Sequence, residues 1–259
     1  MKICKIILYD EPSVPEIHLE RLGRFLRETF LVEIETRDDF FQCSSNNIFE
    51  KIAKTRVFDL KKPFQKNNPI DTVIQVENGT KEKLDNEEEI LYDGFEFHNV
   101  LSEFIPVNES KIDTLHIIFT NKITCTFDES DFRYHSRALI GSNPAIISTT
   151  GMIEAPAKPK QYYLDLMTNF YQEKNEDIKK KYKGQFLECH DPRISKIAEG
   201  YLLQAIMYYE TGEEFCEHRD CRLFNSHWQK DLLFSQIENK RFCKKHLKIL
   251  EELKKSNSK

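Results

Sequence analysis

Three cysteines and a histidine stand in two tight pairs near the end of this chain. They are Cys216-Glu217-His218-Arg219-Asp220-Cys221 and, after a gap, Cys243-Lys244-Lys245-His246. Thiolates and imidazoles are the preferred ligands of zinc. Each short pair lets one loop offer two donors, and the intervening segment returns the second pair to close a tetrahedron. The plainer reading is ordinary cysteines in a reducing cytosol, with His246 on the surface of a lysine-rich helix. Two pairs at ligand spacing favour the metal, so Cys216, Cys221, Cys243 and His246 are the expected ligands of one Zn2+. Four protein ligands leave no position for water or substrate, so this zinc is expected to hold structure rather than perform chemistry.

Other residues carry weaker signals. Arg133, His135 and Arg137 alternate, so on a strand they share one face. Two guanidiniums flanking an imidazole suit a carboxylate or phosphate ligand, while a solvated strand face is the plainer reading. Glu154 precedes Pro156 and Pro159, as a positioned carboxylate or simply a loop residue ahead of a helix. His190-Asp191 puts a carboxylate beside an imidazole, but Asp191-Pro192 also reads as a helix start. His135, Arg137, Glu154 and His190 are the candidate catalytic residues of any second site. Ser148-Thr149-Thr150-Gly151 lacks the glycines of a nucleophile elbow. Glycine-rich phosphate and dinucleotide loops are absent.

The elements that must position these groups follow from periodicity. Residues 2–9 read as a buried strand, 16–30 as a helix and 31–37 as an alternating strand, an α/β opening. A helix is expected from Ile48 to Val57, a short strand at Thr72–Val76, a solvated charge run at Glu87–Glu89 and a turn at Tyr92-Asp93-Gly94. Strands follow at 115–119, 132–140 and 145–150, the last ended by Gly151. Helices are expected at 160–181 and at 194–211, the latter apolar on most sides and closed by Gly212. Asn225 or Ser226 would cap a helix carrying Trp228, Leu232, Leu233 and Ile237, and a charged helix would end near Lys255.

A length of 259 residues allows one large domain or two small ones. With 39% hydrophobic and 31% charged residues, the composition suits a soluble globular protein with a real core. The net charge of −5 argues against a general nucleic-acid binder. Lys240, Arg241, Lys244, Lys245 and Lys248 make a local basic cluster, but acidic neighbours follow, so nucleic acid ranks last among partners. The first ten residues are too short and too charged for a signal peptide, and no apolar run approaches a membrane span. Seven cysteines, an odd number, are expected reduced or on metal, in the cytoplasm.

The C-terminal part resembles the archaemetzincin family of zinc metallopeptidases. That family carries HExxHxxGxxHC, a second cysteine after four residues, and a later cysteine pair. Here Gly212, Cys216 and Cys221 keep the spacing, Leu223 stands where the family has Met, and Cys243 and His246 match the final pair with His replacing Cys. The strands at 114–120 and 145–150 would precede the active helix. The three catalytic histidine positions hold Ala205, Tyr209 and Phe215, and the general-base position holds Ile206. An open zinc needs neutral imidazoles and a carboxylate to take a proton from its water. The resemblance therefore implies a relative that keeps a structural zinc and has lost the catalytic one. Segments Arg133–Arg137, Ser148–Pro159 and Cys221–Asn225 also resemble an archaeal family that carries a metallopeptidase label.

The expected fold is α/β, a metzincin-like mixed sheet with helices and a C-terminal helical zinc-binding subdomain. Residues 1–110 would form an N-terminal α/β region with a loop-rich insertion, and 111–259 the archaemetzincin-like region. The expected function is non-catalytic binding of a peptide or protein, without membrane. The alternative is a metal-dependent hydrolase with a relocated site around His135, Glu154 and His190.

Overall fold

The computed structural model describes residues 2–42, 47–63, 65, 68–69, 71–77, 90–169, 175–213 and 215–257. The chain runs β1 (Lys5–Tyr9), α1 (Leu19–Phe30), β2 (Glu33–Arg37), α2 (Asn47–Lys54), β3 (Arg56–Val57), α3 (Asp71–Glu77), β4 (Leu91–Asp93) and α4 (Gly94–Glu103). It continues through β5 (Thr114–Thr120), β6 (Ile123–Asp128), β7 (Arg133–Arg137), β8 (Leu139–Ile140), β9 (Ala145–Ser148) and α5 (Thr149–Glu154). The remainder is helical: α6 (Lys160–Asn169), α7 (Asn175–Lys181), α8 (Ile194–Thr211), α9 (Gln229–Leu233) with a π-helical extension Phe234–Asn239, and α10 (Lys244–Asn257).

The fold is α/β with two mixed sheets. The larger has the order β2-β1-β5-β9-β8; its first four strands are parallel and β8 is antiparallel to β9. The smaller has the order β3-β4-β6-β7, in which only β4 and β6 are parallel. A strand sends alternate side chains to opposite faces, and the larger sheet is buried on both. Ile6, Leu8, Ile117 and Ile147 enter the core shared with α1 and α8, whereas Ile7, Tyr9, Ile118 and Ile146 enter the core shared with α2 and α4. This two-sided burial is why β1, β5 and β9 read as continuous apolar runs. Among the described residues no helix is long and apolar enough to cross a membrane.

Several local expectations change. Thr72–Val76 lies within helix α3 rather than in a strand. The helix delivers Glu77 to Arg56 Nε (2.6 Å), Lys122 Nζ (2.7 Å) and Tyr92 (2.8 Å), a tertiary demand that overrides β-branched propensity. Tyr92-Asp93-Gly94 is not a turn but the end of β4 and the start of α4. Asp93 caps that helix by accepting from the Phe95 and Glu96 amides. β9 ends at Ser148, and Gly151 sits inside α5, whose start Ser148 caps through its hydroxyl. The first helix begins at Leu19, and the helix expected to reach Val57 stops at Lys54 before β3. The span 160–181 is α6 and α7, with 170–174 outside the described residues, as are Glu87–Glu89. Neither Asn225 nor Ser226 caps α9. Trp228 occupies its N-cap, and the preceding backbone is tied to Ala157 by bonds from Ala157 to His227 and from Gln229 to Ala157.

Candidate metal centre and adjoining cleft

α8 is the most buried helix, with residues Ile194 to Met207 enclosed almost without interruption. It stops at Gly212, whose φ of 74° gives the left-handed turn that a helix C-terminus favours. The chain then forms a closed loop. The Cys216 amide donates to the Leu223 carbonyl (2.8 Å), the Asn225 amide to the Cys216 carbonyl (3.1 Å), and the Cys221 amide to the His218 carbonyl (2.9 Å). The Arg222 amide donates to the Arg241 carbonyl at 2.6 Å, which draws the second pair alongside the first. α10 follows at once and carries His246 in its first turn.

The donor atoms of Cys216, Cys221, Cys243 and His246 all lie within 4.8 Å of one another. Cys216 Sγ is 3.9 Å from Cys243 Sγ, and His246 Nδ1 is 3.5 Å from Cys221 Sγ and 3.1 Å from Cys243 Sγ. Tetrahedral zinc with ordinary bond lengths separates sulfurs by about 3.8 Å and sulfur from nitrogen by about 3.5 Å. The donor set and its spacing therefore fit the ion. Burial pushes the Cys221 thiol up to about 12 and raises that of Cys216. Cys243 is less buried. Desolvation raises its thiol, but hydrogen bonds from the His246 amide, then from the Cys216 and Cys221 thiols and the Lys245 amide, outweigh it and leave a net lowering. Such thiols gain from a cation that holds them as thiolates. The His246 imidazole is held below its ordinary value, chiefly by burial, and so keeps a free lone pair. Its Nε2 lies 4.0 Å from Glu213 Oε2. Beneath the loop, Arg222 pairs with Glu199 of α8 at 3.0 Å, and Gln236 Nε2 donates to the Arg222 carbonyl at 2.5 Å.

Beside this centre a cleft of about 550 Å³ opens. One wall is the continuous stretch 135–141 spanning β7 and β8. The other is α8, through Tyr201, Gln204 and Tyr208, with Phe215 and residues 224–227 completing it. Of the candidate catalytic residues, His135 and Arg137 both line the cleft. His135 Nε2 lies 2.8 Å from Asp131 Oδ2, and Arg137 Nε donates to Thr126 Oγ1 at 2.8 Å. Glu154 instead accepts from Lys158 Nζ at 3.0 Å. His190 Nδ1 is 3.3 Å from Glu16 Oε1, while Asp191 is taken by Arg193. The structure thus brings His135 and Arg137 together and places Glu154 and His190 elsewhere. Ala205 and Ile206 are buried in the core, the Tyr209 hydroxyl donates to the Ile112 carbonyl (3.0 Å), and Phe215 flanks the cleft.

Two features escaped the sequence reading. Asp128, Asp131 and His135 bring their ligand atoms within 4.8 Å of one another, with Asp128 and His135 on the cleft lining. The signal for this was the hairpin between β6 and β7, which opposes Asp128 to Arg133 and so returns His135 toward it. The second is the cleft-facing stripe Tyr201, Gln204 and Tyr208, whose i, i+3, i+7 spacing shares one face of a helix that reads as apolar on most sides.

No curated protein matches the chain. Among solved structures, a zinc-dependent peptidase from Methanocorpusculum labreanum (strain Z) is similar at 14% identity. That match covers 95% of this chain and 99% of that one with a TM-score of 0.38, too distant a likeness to assign a fold. The family comparison spans nearly the whole sequence: over residues 2–253 the chain matches, and so belongs to, the "Probable metallopeptidase family (DUF6775)".

Proposed function

We propose that this chain is a non-peptidase member of its family that binds a peptide or protein segment, its C-terminal subdomain held by a structural zinc on Cys216, Cys221, Cys243 and His246. One observation carries the reading. The positions at which the archaemetzincin resemblance puts the catalytic ligands and base hold Ala205, Ile206, Tyr209 and Phe215. Alanine, isoleucine and phenylalanine have no lone pair to offer, and one tyrosine cannot hold an open zinc or serve it as general base. The cleft beside α8 supports the binding half. β8 is the edge strand of the larger sheet, and an open strand edge suits an extended peptide.

A second reading is favoured by Asp128, Asp131 and His135. These hard oxygen and imidazole donors suit a divalent cation at the cleft, which would supply a hydrolase with a relocated metal. Its ligand set would be these three rather than His135, Glu154 and His190.

Metal content by mass spectrometry, on wild type and on Cys221→Ser, separates the two. One zinc per chain, lost or loosened in the variant, with no chelator-sensitive peptide turnover, is the expected outcome. Two metals per chain, one surviving the substitution, with turnover abolished by Asp128→Asn, would replace the first reading by the second.

A further inference from the structure

The polar groups of the cleft are incompletely matched. Tyr201 is 8% exposed and Gln204 is 3% exposed, yet both line the cleft. Gln204 Nε2 points to the Phe224 carbonyl at 3.4 Å, and its Oε1 is buried without a hydrogen-bond partner. The hydroxyls of Tyr201 and Tyr208 have no partner among the described residues either. The two hydroxyls are open to the cleft, so they are free to bond to whatever enters it. Tyr208 is held in place by Gly141 on the opposite wall, where a Cβ would come within 2.7 Å of its ring.

Arg137 stands on that same wall. Its Nε is spent on Thr126 Oγ1, and this bond orients the guanidinium. Among the described residues, neither terminal nitrogen has a hydrogen-bond or ion-pair partner. Two parallel N–H groups on a fixed plane match a carboxylate. Asp128 on the lining favours a singly charged anion over a dianionic phosphate. A group that completes this face therefore brings a carboxylate for Arg137 and hydrogen-bonding groups for the tyrosine hydroxyls opposite it. A peptide offers both on one short segment.

We propose that the cleft captures a carboxylate-bearing peptide segment, with Arg137 as the anchor and Tyr201, Gln204 and Tyr208 as its polar floor. This rests on the peptide-binding reading above. The carboxylate is either the free end of a chain or an acidic side chain.

Fluorescence anisotropy with fluorescein-labelled degenerate octapeptide pools tests it on the full-length, metal-loaded protein. One pool is free of acidic residues and has a free C-terminus. The second is the same pool amidated, and the third is amidated with one glutamate. Either carboxylate pool should bind at least about tenfold more tightly than the amidated acid-free pool, and whichever does so identifies the source. Arg137→Gln should erase that preference, and Arg137→Lys should restore only part of it. Arg133→Ala, on the same strand but outside the cleft, should leave it intact. Binding of all three pools within about twofold would overturn the carboxylate anchor and leave the peptide-binding reading standing. Binding of none would overturn both. The comparison among pools on wild type needs no substitution, so it holds even if Arg137→Gln misfolds.

Discussion

Burying an ionisable side chain is costly unless it is paired or neutral, and this chain does both. Glu199 is enclosed with Arg222 at 3.0 Å and Lys196 at 2.6 Å, and Glu77 is enclosed by Arg56 and Lys122. His116 takes the neutral route. It is wholly buried on β5, between the Tyr9 hydroxyl (3.0 Å from Nδ1) and the Glu109 carbonyl (3.3 Å from Nε2). Burial lowers its pKa below the ordinary imidazole value. The unfolded chain therefore takes up a proton at this residue before the folded chain does. Its contribution to stability is full above about pH 6.5 and falls as pH drops from there through the folded value. The thermal midpoint should decline between about pH 7 and pH 5, and His116→Gln should flatten that slope. An unchanged slope in the variant would assign the acid sensitivity to other groups.

At the scale of elements, α8 and the π-helical extension of α9 meet where Gly200 faces Gln236. A Cβ at residue 200 would collide with the Gln236 carboxamide. That carboxamide also holds the Arg222 carbonyl, one residue after a proposed zinc ligand. The close approach thus ties the buried helix to the metal loop. Gly200→Ala should cost about 1–3 kcal/mol through overpacking, lowering the thermal midpoint by about 3–10 °C. It should also speed zinc loss to a chelator, because the displaced Gln236 no longer steadies residue 222. A variant with a normal melting curve and normal metal retention would show that Gln236 can swing aside without consequence.

For the molecule as a whole, the notable economy is that one loop serves two purposes. Between residues 215 and 227 the chain supplies Cys216 and Cys221 to the candidate metal centre, and Phe215 and residues 224–227 to the cleft. The backbone pairing of Cys216 with Phe224 joins the two ends. The proposed structural zinc would contribute its binding free energy to folding, so chelation should be felt at the cleft before it reaches the sheets. Hydrogen exchange after chelation should rise across 215–227 and the first turn of α10. The amides of β1, β5 and β9, buried between helices, should stay protected. Uniform loss of protection would mean that the metal supports the entire fold rather than this subdomain.

Local rules act over a few residues, and what they govern was legible in the sequence. The span of α8, its glycine stop at Gly212 and the apolar runs of β1, β5 and β9 depend on periodicity and backbone sterics alone. So does the pairing of candidate ligands within each short segment at 216–221 and 243–246. What lay beyond it were choices made across long sequence separations. α3 is helical because Glu77 must reach Arg56 and Lys122, which stand 21 and 45 residues away. Which face of α8 meets the cleft depends on where β7 and β8 pass, not on the helix itself. The grouping of His135 with Asp128 and Asp131, rather than with Glu154 or His190, follows from a strand pairing that sets neighbours in space. Periodicity specifies the elements and the faces they can bury. Only packing determines which polar residues on those faces converge.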